Sequence, residues 1–108
     1  MNAITRINAP VSDAIAIVLA KRAEQVARGH TAAADDAVGP HRLIQLVRQW
    51  LADADRSTSA ALDQTMGDVA ALDPRCRAVL INRLATTAAL ALASIEAIHR
   101  IPEKDAGQ

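Results

Sequence analysis

The stretch PRCRAVLINRLATTAALALASIEAIHR, residues 74–100, decides the fold class. Asp73-Pro74 is a helix-start pair, with a carboxylate able to cap first-turn amides and a proline tolerated at the first helical position. Pro102 supplies the stop, so the spacing predicts a helix over 74–100. Its inward stripe is expected at Leu80, Leu84, Thr87, Ala91, Ile95 and Ile98, whereas Ile81, Leu90 and Leu92 fall on other faces. A helix that is apolar nearly all round is buried, either centrally or against another subunit. Ala85, Thr86, Ala88, Ala89 and Ala93 are small enough to let a second helix approach closely. In a chain of 108 residues, three further helices give such a rod little cover. Self-association through it, as a homodimer, is therefore expected.

The rest of the chain reads as helix too. Residues 1–11 are expected to be an extended arm ending at Pro10. Ser12 then caps a helix over 12–28, and Asp13 suits the positive helix end. Ile15, Val18, Leu19, Ala23, Val26 and Ala27 form its inward stripe, and Gly29 ends it in a left-handed turn. A polar, alanine-rich connector follows over 30–39, with room for one turn of helix after Thr31. Gly39-Pro40 opens the next helix, whose stripe is Leu43, Val47, Trp50, Leu51 and Ala54. Ser57, Thr58 or Ser59 can cap a new helix, although no glycine or proline forces a break there. Residues 40–72 are read as two helices, 40–56 and 58–72, the alternative being one long bent helix. Leu62, Met66, Val69 and Leu72 continue the inward pattern, and residues 103–108 are a polar tail. The fold class is all-α: one domain over 1–108, an antiparallel bundle of about four helices.

Composition agrees with that class and narrows the function. Alanine fills 25 positions, while strand-favouring aromatics are nearly absent, with Trp50 the only one. Twelve basic and twelve acidic side chains leave no net formal charge, which removes the electrostatic case for nucleic acid or an anionic membrane. Without Phe or Tyr, a stacking platform for single-stranded nucleic acid is ruled out. Cys76 is alone and no zinc spacing occurs, which suits a reducing cytoplasm. The charge-free run from Leu84 to Ile95 falls short of the roughly 20 residues that span a bilayer. A soluble cytoplasmic protein without cofactor is expected.

One segment is more specific than a bundle requires: Arg22-x-x-Gln25-x-x-x-Gly29-His30-Thr31-x-x-x-Asp35-Asp36. It resembles small phage- and prophage-encoded helical proteins of uncharacterised function, whose first helix ends in an Arg-Gln pair followed by Gly, an aromatic, Thr and Asp-Asp. The segments Arg77-Ala78-Val79-Leu80 and Ala88–Glu96 look like that family's final helix. Lys21, His30 and Ala34 depart from the family's usual Glu, Trp and His, and the tryptophan-rich centre is missing from residues 39–72. The resemblance implies a mobile-element origin and a helical fold. It brings no established activity.

Several chemistries compete for this segment. As a structural corner, Gly29 ends a helix, Thr31 caps the next turn, and Asp35 and Asp36 hold connector amides or pair with Arg22 or Arg28. As a ligand site, Arg22 and Arg28 grip a phosphate with planar forks while Gln25, His30 and Thr31 select a base or sugar beside Asp35 and Asp36. His30, Asp35, Asp36 and His41 have ligand types for a divalent metal, but the connector enforces no geometry on them and no metal site is assigned. An all-α nucleotide pyrophosphohydrolase needs several carboxylates on facing helices for Mg²⁺, whereas Glu24, Glu96, Glu103, Asp53, Asp63 and Asp68 are scattered. Cys76, between Arg75 and Arg77, has no histidine near it in sequence for nucleophilic chemistry. The leading expectation is a non-catalytic phage or prophage accessory protein that binds a host or phage protein. A nucleotide-binding protein, such as one that sequesters a signalling nucleotide, is the alternative, and an all-α nucleotide pyrophosphohydrolase is a lesser one.

Overall fold

The computed structural model describes residues 3–103, with side chains from Val11 onward. Four α-helices occur among them: α1 (Ala3–Ala27), α2 (Ala32–Val38), α3 (Pro40–Gln64) and α4 (Pro74–His99), with one 3-10 turn at Val69–Ala71 before α4. The all-helical expectation holds, and no strand is present among the described residues. The helix expected over 74–100 is seen at Pro74–His99, capped as anticipated. The Asp73 carboxylate accepts from Cys76 N at 2.8 Å.

Two boundaries are corrected. The extended arm over 1–11 is helical from Ala3, so Ser12 lies inside α1 rather than capping it. Pro10 lacks one amide hydrogen, and the helix runs through that lost bond. Of the chain ends, residues 1–2 and the tail from 104 to 108 lie outside the described residues. The helices expected at 40–56 and 58–72 are one helix, Pro40–Gln64, so the single-helix alternative is the observed one. The Thr58 hydroxyl donates to Ala54 O at 2.7 Å instead of capping a new start. α3 ends further on, where Gly67 N donates to Leu62 O at 2.8 Å and Met66 N to Asp63 O at 3.5 Å, a Schellman ending. Met66 occupies its left-handed position at φ 55°.

α4 is the element on which the others rest. α1, α2 and α3 all pack against it, and α2 also touches α3. α3 and α4 run antiparallel: Ser57 and Ala61 of α3 share a groove with Cys76 and Leu80 near the start of α4. At the other end, Asp36, just ahead of α3, meets Arg100, just beyond α4. Of the stripe expected inward on α4, Thr87 is buried and Leu80 and Ala91 are half-buried, but the buried face is centred elsewhere. Ala85, Ala89, Ala93 and Ala97, spaced four apart, are buried together with Thr87, Leu90 and Ser94. Leu84, Ile95 and Ile98, expected inward, are at least half exposed. Helix axes approach most closely where side chains are shortest, so the alanine row takes the contact and the large aliphatics flank it. On α1 too Ile15, Leu19 and Val26 are exposed, but the buried side chains there are Arg22 and Gln25 rather than alanines. On α3, Leu43 and Ala54 are buried as expected, whereas Trp50 and Leu51 are exposed, and beyond it Met66 and Val69 are exposed and Leu72 buried.

The outcome is an open arrangement. The radius of gyration is 17.5 Å, against about 13 Å for a compact chain of this length. Among the described residues the buried large aliphatics are Leu43, Leu72 and Leu90. α4 is also long and apolar enough to cross a membrane by length and composition, with mean hydropathy 1.6 over 18 residues.

Candidate functional site

Two places on this frame concentrate chemistry: a charged corner built by the Arg22–Asp36 segment, and an uncharged trough between α1 and α4. The corner starts where α1 stops. His30 N donates to Gln25 O and Gly29 N to Val26 O, the paired bonds of a Schellman ending, with Gly29 at φ 107°. The chain then turns directly into α2, where the Thr31 hydroxyl accepts from Ala34 N at 3.3 Å. This tight return sets Asp35, in the first turn of α2, against the last turns of α1.

Arg22 reaches three acceptors there. Its Nη2 lies 3.0 Å from Asp35 Oδ2 and 3.1 Å from Glu96 Oε2, and its Nη1 lies 3.1 Å from His30 O. Asp35 is 2% exposed, so the guanidinium is what keeps a buried carboxylate compensated. Gln25, also buried, directs Nε2 to Thr86 O at 3.5 Å, and its Oε1 has no partner within the protein. Asp36 faces the other way. Arg100 holds it in a two-pronged pair, Nη2 to Oδ1 at 2.7 Å and Nε to Oδ2 at 3.2 Å, on the surface. Hydrogen bonding from Arg100, together with its positive charge, lowers the Asp36 carboxyl below the usual range, and the same pair raises the Arg100 guanidinium.

The corner thus brings together Arg22, Gln25 and Asp35, along with the His30 carbonyl and the Thr31 cap. Asp36 is turned toward Arg100. The side chains of Arg28 and His30 are exposed, and Arg28 assists Lys21 in lowering the Glu24 carboxyl. Sequence reasoning placed the local half of this network and missed Glu96 and Arg100. They are 74 and 64 positions from their partners, and no short-range signal ties them to the motif. Two guanidiniums facing three carboxylates leave a surplus of negative charge, which is poor ground for a phosphate. No group of three or more His, Cys, Asp or Glu is placed to hold a metal among the described residues.

The trough is of the opposite character. Val11, Ile15 and Leu19 of α1 and Ala88, Leu92 and Ile95 of α4 line about 640 Å³ of open groove without a charged side chain. Ile15, Leu19 and Ile95 rise beside it, 52%, 54% and 63% exposed. A smaller groove of about 220 Å³ lies between the same two helices, bordered by Ile17, Ile81 and Leu84. Grooves of this kind take apolar side chains of another helix, since non-directional burial is all they offer.

Comparison with protein-family models, with curated proteins and with solved structures finds no match for this chain.

Proposed function

We propose that the chain is a non-catalytic accessory protein that acts by protein–protein contact, presenting the apolar flank of α1 and α4 to another polypeptide. The observation that carries this reading is the uncharged trough walled by Ile15, Leu19 and Ile95. Burying an aliphatic side chain of that size is worth about 1.5–3 kcal/mol. Contiguous apolar surface of this kind marks contact sites on soluble proteins. The sequence resemblance of the Arg22–Asp36 and Arg77–Glu96 segments supports a phage or prophage setting, which puts the site of action in the host cytoplasm. Self-association through the final helix belongs to the same reading.

The charged corner has a supporting role in this proposal. By tying α1 and α2 to the end of α4, Arg22 and Arg100 fix the angle at which the α1 wall of the trough stands. A photo-crosslinking residue at position 19 of the full chain tests the proposal in cells, with position 48 on α3 as control. Covalent adducts of defined mass from position 19, and none from position 48, are expected. Equal labelling from both positions, or none from position 19, would overturn it.

A further inference from the structure

We infer that α1 is a two-position element: the Arg22 corner latches it rolled away from its own apolar line, and release of that latch turns Ile15 and Leu19 into the trough and closes it. This inference rests on the interaction reading above and adds its regulation, since a closed trough takes no partner.

The two faces of α1 are out of register with its docking. Arg22 and Gln25 are the side chains it buries, while Ile15, Leu19 and Val26 are exposed. At 3.6 residues per turn these two sets lie on lines about 70° apart around the helix. Where burial alone decides, a helix docks by its aliphatic line. Polar contacts decide here instead, because Arg22 reaches Asp35 and Glu96, and Gln25 reaches Thr86 O.

That docking also leaves a polar group unsatisfied. Gln25 Oε1 is buried without a partner within the protein, and a buried acceptor left so is a standing cost. Rolling the aliphatic line inward carries Gln25 toward solvent and takes Ile15 and Leu19 out of water. Both changes favour the rolled position, and the three-way contact of Arg22 opposes it.

The trough is placed to be filled by α1 itself. Val11, Ile15 and Leu19 already form one wall, with Leu92 and Ile95 opposite and the small Ala88 and Ala91 between. A roll of about 70° moves a side-chain tip by about 6 Å, given a helix 10–12 Å across. The wall then swings over the hollow without α1 leaving α4. A foreign segment has to be captured from solution, whereas these side chains are tethered beside the groove. A pivot is present as well. α1 takes its principal packing from α4 alone, and Gly29, at φ 107° with open space where a Cβ would stand, joins it to α2.

Thiol labelling of the full chain tests the inference, with Cys76→Ser removing the native thiol. Leu19→Cys reports the aliphatic line and Lys21→Cys the opposite flank, which is half-buried in the latched position. Each is combined with the released latch, Arg22→Met with Asp35→Leu. Maleimide labelling should slow about 10-fold or more at position 19 and quicken at position 21, since labelling follows the population of the exposed state. Glu96→Ala loosens one arm of the latch and should move both rates the same way by less. It decides the matter where far-ultraviolet circular dichroism shows the released latch to be unfolded. Faster labelling at both positions means that α1 detaches, and unchanged rates at both mean that it stays in place; either overturns the inference. Slowing at position 19 that appears only at high protein concentration means that a second copy covers the face, and overturns it too. The interaction reading is reported separately by the position-19 crosslinks of the chain with its latch intact, so a failed roll leaves it standing.

Discussion

Arg22 Nη2 stands 3.1 Å from Glu96 Oε2 although 74 positions of chain separate the two residues, and the same nitrogen is 3.0 Å from Asp35. One guanidinium therefore joins three helices. Removing it strands Asp35, which is 2% exposed. Arg22→Met should lower stability by about 3–5 kcal/mol in urea titration. Arg22→Met combined with Asp35→Leu should recover most of that loss, because the penalty lies in the uncompensated charge rather than in the missing bridge. A double variant as unstable as the single one refutes the assignment.

Asp36 and Arg100 predict a pH dependence. The Asp36 carboxyl is lowered by its pair with Arg100, so folding favours its ionised form. The resulting stability is present above the ordinary aspartate value of about 3.9 and is lost as pH falls through the lowered, folded-state value. Asp36→Asn should flatten the acid limb of the stability profile below roughly pH 4 and leave its neutral limb parallel to the parent. Because the pair is solvent-exposed, high salt should shrink the difference between the two proteins.

Met66 gives a prediction of the opposite sign. It holds the left-handed position of the α3 ending at φ 55° and is 97% exposed, so its side chain contributes no packing. A Cβ in that backbone region costs roughly 1–2 kcal/mol, part of which glycine returns as unfolded-chain entropy. Met66→Gly should stabilise the protein by about 0.5–1 kcal/mol, measured as a rise in Tm of a few degrees. A lower Tm would show that the turn has another conformation in solution.

The alanine row of α4 and its aliphatic flank should respond oppositely to substitution. Ala89 has no exposed surface, and Ala89→Leu should force neighbouring helices apart at a cost of about 1–3 kcal/mol. Leu84→Asp, by contrast, alters a side chain that is 51% exposed and should leave the helical circular dichroism spectrum intact. Unfolding of Leu84→Asp at neutral pH would return that residue to the interior.

Local signals carried much of this structure, and distance in sequence explains what they left out. Gly29, Thr31, Asp73 and Pro74 marked the helix ends they form, since a cap is satisfied within three or four residues. Ser57-Thr58-Ser59 resembled such a cap, but a threonine hydroxyl can also bond back to the carbonyl four residues earlier, as Thr58 does with Ala54. Apolar spacing gave Leu84, Ile95 and Leu19 to the core, whereas α4 buries Ala85, Ala89, Ala93 and Ala97 and α1 buries Arg22 and Gln25. Within the corner, Arg22, Gln25 and Asp35 were legible as a group because one short turn holds them together. Glu96 and Arg100 were not, because only tertiary folding brings them there.

The dependence of α1, α2 and α3 on α4 also bears on how the chain is made. α4 is the last of these helices to leave the ribosome, so the earlier ones emerge before the scaffold they lean on exists. A chain cut short before α4 lacks the one surface on which α1, α2 and α3 all pack.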